Sequence, residues 1–338
     1  MTTSASDVAG LSAPNLAERL RLDPRLVVAA AVAVAALVLG ATEGWRDLAQ
    51  ATINGLVSGS YFALGAAGLT LVYGVLKLVN FAHGEFLTFG AYMAVLARTL
   101  LDLPLGLAIV FAVVATAVLG LALELVMWRP MRRKGAGVLQ LLLMALGLAF
   151  VIRNVIQLIA GTDVRQLGAN VTAAITFGGG LHIGRTELWV VLVGFAVLLA
   201  LALTLKVTRL GKQIRALSDN PELAETTGID TDRIVLVTWA LAGALAGLAG
   251  VVFGASVGVV TPNLGFGIVL SLFAAVIVGG IGNAYGALAG GLLIGLVQEW
   301  STLVAPANIK VAVGFCAMIV VLILRPQGIL GRARSADR

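Results

Sequence analysis

Charged side chains are scarce in this sequence. Asp, Glu, Lys and Arg make up 12% of its 338 residues, against about 25% in soluble domains. A water-soluble fold of this length has too little interior to hide the apolar surface that remains. One cysteine, Cys316, excludes an internal disulfide framework and a thiolate zinc site. The two histidines, His83 and His182, lie far apart in sequence and outside any metal-ligand spacing. No Ser/His/Asp arrangement is present. The phosphate-cradling pattern G-x-x-x-x-G-K-[ST] is missing as well: Gly211-Lys212 runs into Gln213 and lacks the upstream glycine. The chain therefore reads as no enzyme, with no metal site and no nucleotide cradle of its own.

What the sequence has in quantity is apolar residues (59%, mean hydropathy +1.01) and 41 glycines. A bilayer accepts the first as solvent for the outside of a protein, and the second lets helices approach closely. Runs long enough to cross occur at 26–42, 48–74, 85–101, 104–127, 138–160, 188–207, 234–257, 266–282, 286–304 and 309–324. This predicts an all-α polytopic membrane protein of eight to ten spans, with a transmembrane domain over 26–324. The basic residues group as Arg19, Arg21 and Arg25; Arg129, Arg132, Arg133 and Lys134; Lys206, Arg209, Lys212 and Arg215; and Arg325, Arg332, Arg334 and Arg338. Ten spans with a cytoplasmic N-terminus put all four groups inside, as cytoplasmic loops require. The excess of positive charge is thus assigned to topology, not to nucleic acid. The segment 26–42 also resembles a secretory signal. It lacks a convincing cleavage site before Trp45, so it is read as a retained helix. Residues 1–25 read as a disordered cytoplasmic start and 325–338 as a cytoplasmic tail.

Two connections stand out. Residues 161–187 carry glycines between β-prone pieces and predict a small external hairpin. Residues 208–233 form a polar loop on the inner side, and within it local rules predict a short helix over 221–227. Asn220 or Asp219 accepts the first free N–H groups, Pro221 fits the first helical position, Glu222 suits the positive end of the dipole, and Gly228 closes the helix. So short a helix is marginal alone in water. It docks either on its own protein or on another.

Within the apolar runs, Asn80, His83 and Glu85 interrupt the stretch from Tyr73 to Phe86. A turn at Gly84 is expected to hold them near the cytoplasmic interface, as a polar helix–helix turn or as a gate or partner contact. Glycines four apart (Gly243/Gly247, Gly254/Gly258, Gly286/Gly290, Gly291/Gly295) predict close helix packing. Gly279-Gly280-Ile281-Gly282-Asn283 predicts a broken helix or tight turn. Asn54, Ser58, Ser60, Arg153, Asn154, Gln157, Ser271 and Gln298 are polar residues on apolar spans, and Asn54, Ser58, Asn154 and Gln157 are the candidates for a translocation path. Arg153, Asn154 and Gln157 share a helical face by spacing; Arg153 alternatively snorkels to a surface.

Three stretches resemble the LivH-type branch of the branched-chain amino acid permeases of ABC importers. They are Asn54–Leu64 running on to Asn80-Phe81-Ala82-His83-Gly84-Glu85; Gly211–Asp230; and Gly279–Asn283 with Gly286-Ala287 and Arg325–Gly331. The resemblance implies a bacterial inner-membrane complex with a sister permease subunit, two cytoplasmic ATPase subunits that use ATP and Mg, and an external substrate-binding protein. It implies that Gly211, Arg215, Asp219, Asn220, Pro221, Glu222, Ala224 and Gly228 form the ATPase-coupling loop. Members carry branched-chain amino acids, and relatives with this signature carry urea or amides. The competing expectation from the residues alone is a stand-alone carrier driven by an ion gradient, for which Glu85 is the acid to watch.

Overall fold

The computed structural model describes residues 24–168, 174–177 and 180–331. The reading of most of the N-terminal segment, of the final residues 332–338 and of Gly178 and Gly179 lies outside the described residues. Each of the ten apolar runs contains a helix. In chain order these are α1 (Pro24–Thr42), α2 (Trp45–Leu76), α3 (His83–Thr99) and α4 (Leu105–Leu123), which continues through a π-helical turn (Glu124–Trp128) into α5 (Arg129–Arg133). Next come α6 (Val138–Ala160), α7 (Arg185–Val207), α8 (Arg209–Asp219), α9 (Pro221–Thr226), α10 (Thr231–Val257), α11 (Leu264–Gly279), α12 (Ala284–Ser301) and α13 (Lys310–Leu324). Among the described residues, six helical stretches are long and apolar enough to cross a membrane, and Leu26–Thr42 and Leu264–Gly279 are shorter apolar helices. The helix α3, at 17 residues, is shorter than these, and α12, at 18 residues, is made less apolar by its glycines and by Gln298 and Glu299.

At the centre stands α2, whose 32 residues extend about 48 Å, longer than the roughly 30 Å hydrocarbon core. It is buried almost continuously from Val57 to Val75, clasped by α12, α10 and α11. Small residues make this possible. A Cβ on Gly291 would sit 2.5 Å from Ala63 Cα, and one on Gly295 would sit 2.5 Å from Gly59 Cα, so α12 lies directly against the backbone of α2. Gly286 and Gly290 turn the other side of α12 onto Gly279 and Ala275 of α11. Gly243 likewise meets Thr116 of α4. The pair Gly254/Gly258 differs from expectation. Gly254 packs on Val260, but Gly258 has φ +81° and ends α10 in a left-handed turn, a conformation a Cβ resists.

The two ends of the bundle differ. At one end, here the hairpin face, β1 (Ala174–Phe177) pairs antiparallel with β2 (Leu181–Gly184), as the sequence predicts. Gln50 of α2 holds β2 through both the N–H and the C=O of His182, each at 2.8 Å, and Arg165 bridges Val260. At the other end, the loop face, lie α5, α8, α9 and the last described residues. Arg129, Arg132, Arg133, Lys134, Lys206, Arg209, Lys212, Arg215 and Arg325 all lie on this face. Arg129 and Arg133 pair with Asp232, and Arg132 pairs with the buried Glu124. The chain beyond α13 folds back, with Ile329 N donating to Val278 O at 2.8 Å and Leu330 N to Gly279 O at 3.0 Å. The predicted turn at Gly279–Asn283 is thus a junction that three elements share. Asn283 accepts from Tyr285 N and donates to Leu330 O.

Candidate functional site

Polar side chains gather in two places, one on the loop face and one inside the bundle. On the loop face, α9 is built as the local rules dictate. Asn220 Oδ1 accepts from Leu223 N at 3.0 Å, Pro221 opens the helix, and Gly228 at φ +81° closes the turn after it. The residues ahead of it form α8, an amphipathic helix with no separate expectation in the sequence. It is capped by Thr208, which accepts from Gly211 N, and its buried side holds Gly211, Ile214 and Leu217. Gly211 is packed on the backbone of Leu205, and Arg215 donates to Leu205 O, which closes the end of α7. Gly211 and Arg215 therefore seat α8 on α7. In α9, Ala224 is 2% exposed and anchors the helix to the body, whereas Leu223 is 62% exposed among exposed Pro221, Glu222 and Glu225. Asp219 and Asn220 are exposed as well. A leucine on an exposed one-turn helix, with its ends already capped, is a surface that another protein can cover.

This module is tied to the central helix. Ser218 Oγ donates to Gly74 O at 2.8 Å, and Lys77 Nζ donates to Ser218 O at 3.0 Å and to Gly74 O at 2.8 Å. Lys77 itself takes a left-handed conformation, φ +53°, at the end of α2. Neither tie is visible in the sequence, because 141 positions separate Lys77 from Ser218 and neither residue belongs to a periodic pattern. Beside them lies an open cavity of about 830 Å³ lined by Thr70, Tyr73, Lys77, Ser218, Asn283 and Tyr285, among others. Asp219 and Arg215 reach its rim from α8.

The second cluster corrects the expected depth of the Asn80–Glu85 stretch. His83 Nε2 lies 2.9 Å from Gly65 O, and Gly65 is 11 residues, or about 17 Å, back along α2 from Leu76. The segment 77–82 therefore dips back into the bundle, and α3 begins about a third of the way back along α2 rather than level with its Leu76 end. Six extended residues reach about 20 Å, enough for this path. Asn80 Oδ1 turns the chain by accepting from Ala82 N at 3.1 Å. Gly84 permits the crossing with α11, since a Cβ there would lie 2.8 Å from Gly265 O. Thr88 accepts from Gly265 N at 3.0 Å and caps α11. Asn80 and His83 are 0% exposed and Glu85 1%, so the stretch is no docking surface for a second protein. Asn80 Oδ1 and His83 Nε2 make contacts of a polar turn, while Asn80 Nδ2 and His83 Nδ1 are buried without a hydrogen-bond partner.

Glu85 does more than turn the chain. Its Oε1 accepts from Arg153 of α6 through Nε at 3.1 Å and through Nη2. Arg153 thus does not snorkel. Phe266 of α11 lies under its guanidinium at 4.1 Å. Asn154 is exposed and donates back to Phe150 O, and Gln157 is half-buried. Asn54 is exposed near the hairpin and accepts from Gln50. Ser58 lines no open surface. It is buried, donates to Glu299 Oε1 at 2.9 Å and accepts from Tyr61, while Lys310 pairs with the same carboxylate. Ser60 is bonded back to Val57 O, and Gln298 donates to Ser271 inside the bundle. Among the described residues, no three His, Cys, Asp or Glu side chains come together as a metal site.

Comparison with known proteins places this arrangement. The family described as "Branched-chain amino acid transport system / permease component" matches residues 51–324. The high-affinity branched-chain amino acid transport system permease protein BraD of Pseudomonas aeruginosa is 34% identical over 295 residues, covering 84% of this chain and 95% of that protein. LivH of Escherichia coli K12, with the same description, is 32% identical over 303 residues, again 84% and 95%. The ribose import permease protein RbsC of Escherichia coli K12 is similar over a shorter stretch, 34% over 130 residues and 36% of this chain. A multi-pass helical body, an exposed capped helix on its basic face and a match across nearly the whole of that body agree: the chain belongs to the permease family of the branched-chain amino acid transport systems.

Proposed function

We propose that the chain is the translocating subunit of an ATP-driven importer for branched-chain amino acids in the bacterial inner membrane. Its loop face is cytoplasmic, because that is where the basic residues collect. Two cytoplasmic ATPase subunits bind and hydrolyse ATP with Mg, a sister permease completes the path, and an external binding protein delivers the solute at the hairpin face. The observation that carries this reading is α9: a helix of six residues whose ends are capped, whose Ala224 is anchored and whose Leu223 is left open. Asp219, Asn220, Pro221, Glu222, Ala224 and Gly228 build that contact, and Gly211 and Arg215 hold α8 beneath it. Movement at α9 passes through α8 to Ser218, and from Ser218 to Gly74 and Lys77 at the end of α2. The next residues are the dipping segment that carries Asn80, His83, Gly84 and Glu85. A push on α9 therefore reaches the middle of the bundle through side chains already in contact. Asn154, Gln157 and Asn54 contribute to the path.

The stand-alone ion-driven carrier finds no support. Its ion-coupling acid would be Glu85, and that carboxylate is engaged by Arg153. The test is a pull-down of the tagged protein from mild detergent, comparing wild type with a chain whose 219–228 loop is replaced by Gly/Ser. Two P-loop ATPases and a second permease are expected with wild type, and the ATPases are expected to be missing from the loop variant. Recovery of the wild type alone, under conditions that preserve other such complexes, sinks the proposal.

A further inference from the structure

Arg153 is a charged side chain within the apolar body, and the coupling route does not use it. It stands seven residues before the end of α6, about 10 Å inside. Four features of its surroundings point the same way. Two of its donors converge on one oxygen of Glu85, while Glu85 Oε2 is buried with no hydrogen-bond partner. The Arg153 side chain keeps 12% exposure, so an edge of the pair reaches an open surface. The rings of Phe266 and Phe150 flank the guanidinium at 4.1 and 5.7 Å, and both residues are more than half exposed. Finally, α6 has two outward strips on either side of its buried stripe (Leu141, Ala145, Leu148, Ile152, Ile156). By helical spacing, Val151, Val155 and Leu158 lie on one side; on the other, Leu139 and Leu143 give way over the last turns to Phe150, Arg153, Asn154 and Gln157. The first suits lipid. The last turns of the second do not, because the exposed amide of Asn154 and the open edge of the Arg153 pair would be expensive against hydrocarbon.

We propose that these last turns of the second strip face the translocation path and that Arg153, held by Glu85, receives the carboxylate of an aliphatic amino acid in transit. The chemistry matches a zwitterion part by part. A guanidinium binds a carboxylate through paired N–H donors. Two phenyl rings accept a branched aliphatic side chain. The free oxygen of Glu85 offers the ammonium an acceptor when the pair opens to admit the solute. Urea and simple amides lack the carboxylate that this site reads. The site would be weak, because Glu85 competes for the same guanidinium, and a weak site is what passage requires. The proposal rests on the amino-acid reading above.

The test uses the complete importer in proteoliposomes with its binding protein and ATP. Photo-leucine is illuminated during turnover and its crosslinks are mapped by mass spectrometry. Crosslinks in wild type are expected on the peptides carrying Phe150 and Phe266. The double variant Glu85→Gln/Arg153→Gln removes both charges together, so neither is left buried alone. It is expected to lose those crosslinks and to take up leucine at least tenfold more slowly. Arg153→Lys is expected to recover part of the uptake. Crosslinks that map elsewhere in a wild type that takes up leucine overturn the assignment of Arg153 and leave the amino-acid reading intact. So does leucine uptake unchanged in the double variant. A wild type that takes up no leucine overturns both. If the double variant fails to assemble, the wild-type crosslink map alone decides.

Discussion

At the residue scale, the most sharply defined position is Gly228. It holds φ +81°, and a Cβ there would meet no atom within 4 Å. Space is therefore not the issue. Left-handed backbone is, at roughly 1–2 kcal/mol for an ordinary residue and more for a β-branched one. Gly228→Val is expected to lower uptake severely while insertion and expression stay normal, because the strain falls on the turn that closes α9 and not on the bundle. Gly228→Asn, which tolerates this conformation, is expected to retain most uptake. Uptake by the Val variant at wild-type level, measured at matched expression, removes the turn from the coupling route. Gly228 and Asn220 were legible because turn and cap chemistry is local. Glu85 was legible only as an anomaly. Its partner Arg153 lies 68 positions away, and nothing in either segment alone says that they meet.

At the scale of elements, glycine has two distinct uses that sequence spacing does not separate. Gly291 lies against the backbone of α2, whereas Gly147 in α6 faces open space. Gly291→Ala is expected to destabilise the protein by about 1–3 kcal/mol through overpacking. Gly147→Ala is expected to be neutral or stabilising by up to about 1 kcal/mol, since alanine is the better helix former. Thermal unfolding of the two variants in detergent checks this contrast; equal midpoints would mean that α12 does not sit tightly on α2. The same ambiguity explains Gly254/Gly258, where the spacing matched a packing motif but the second glycine ends the helix. The short helix α3 shows a related limit. Its apolar pattern was clear, yet its starting depth depends on the contact between His83 and Gly65.

At the scale of the whole molecule, charge and topology agree. Helices cross often enough to return every described basic cluster to one face, and the hairpin stands on the other. With Cys316 replaced by Ser, His182→Cys is expected to react with a membrane-impermeant thiol reagent from outside intact cells, and Lys212→Cys to react only after the cells are opened. The reverse pattern would invert the protein and overturn the placement of the ATPases. The same large-scale geometry gives the coupling proposal its content, since α9, α8, the end of α2 and the dipping segment form one continuous chain of contacts from the loop face to the middle of the bundle.

Composition, hydropathy and local turn chemistry by themselves determined that this is a helical membrane protein, where its ten apolar helices lie, which loops are basic, and that a capped helix stands in the 208–233 loop. These follow from interactions within a few residues or between the chain and its solvent. Only the tertiary structure decided how deep Asn80, His83 and Glu85 lie, that Ser58 is enclosed, that Lys77 and Ser218 join α8 to α2, and that Arg153 faces Glu85 and Phe266. Each of those depends on which helix is placed beside which. In a bundle held by close backbone contact at small residues, many pairings are compatible with one pattern of apolar runs, and the sum of all the contacts selects among them.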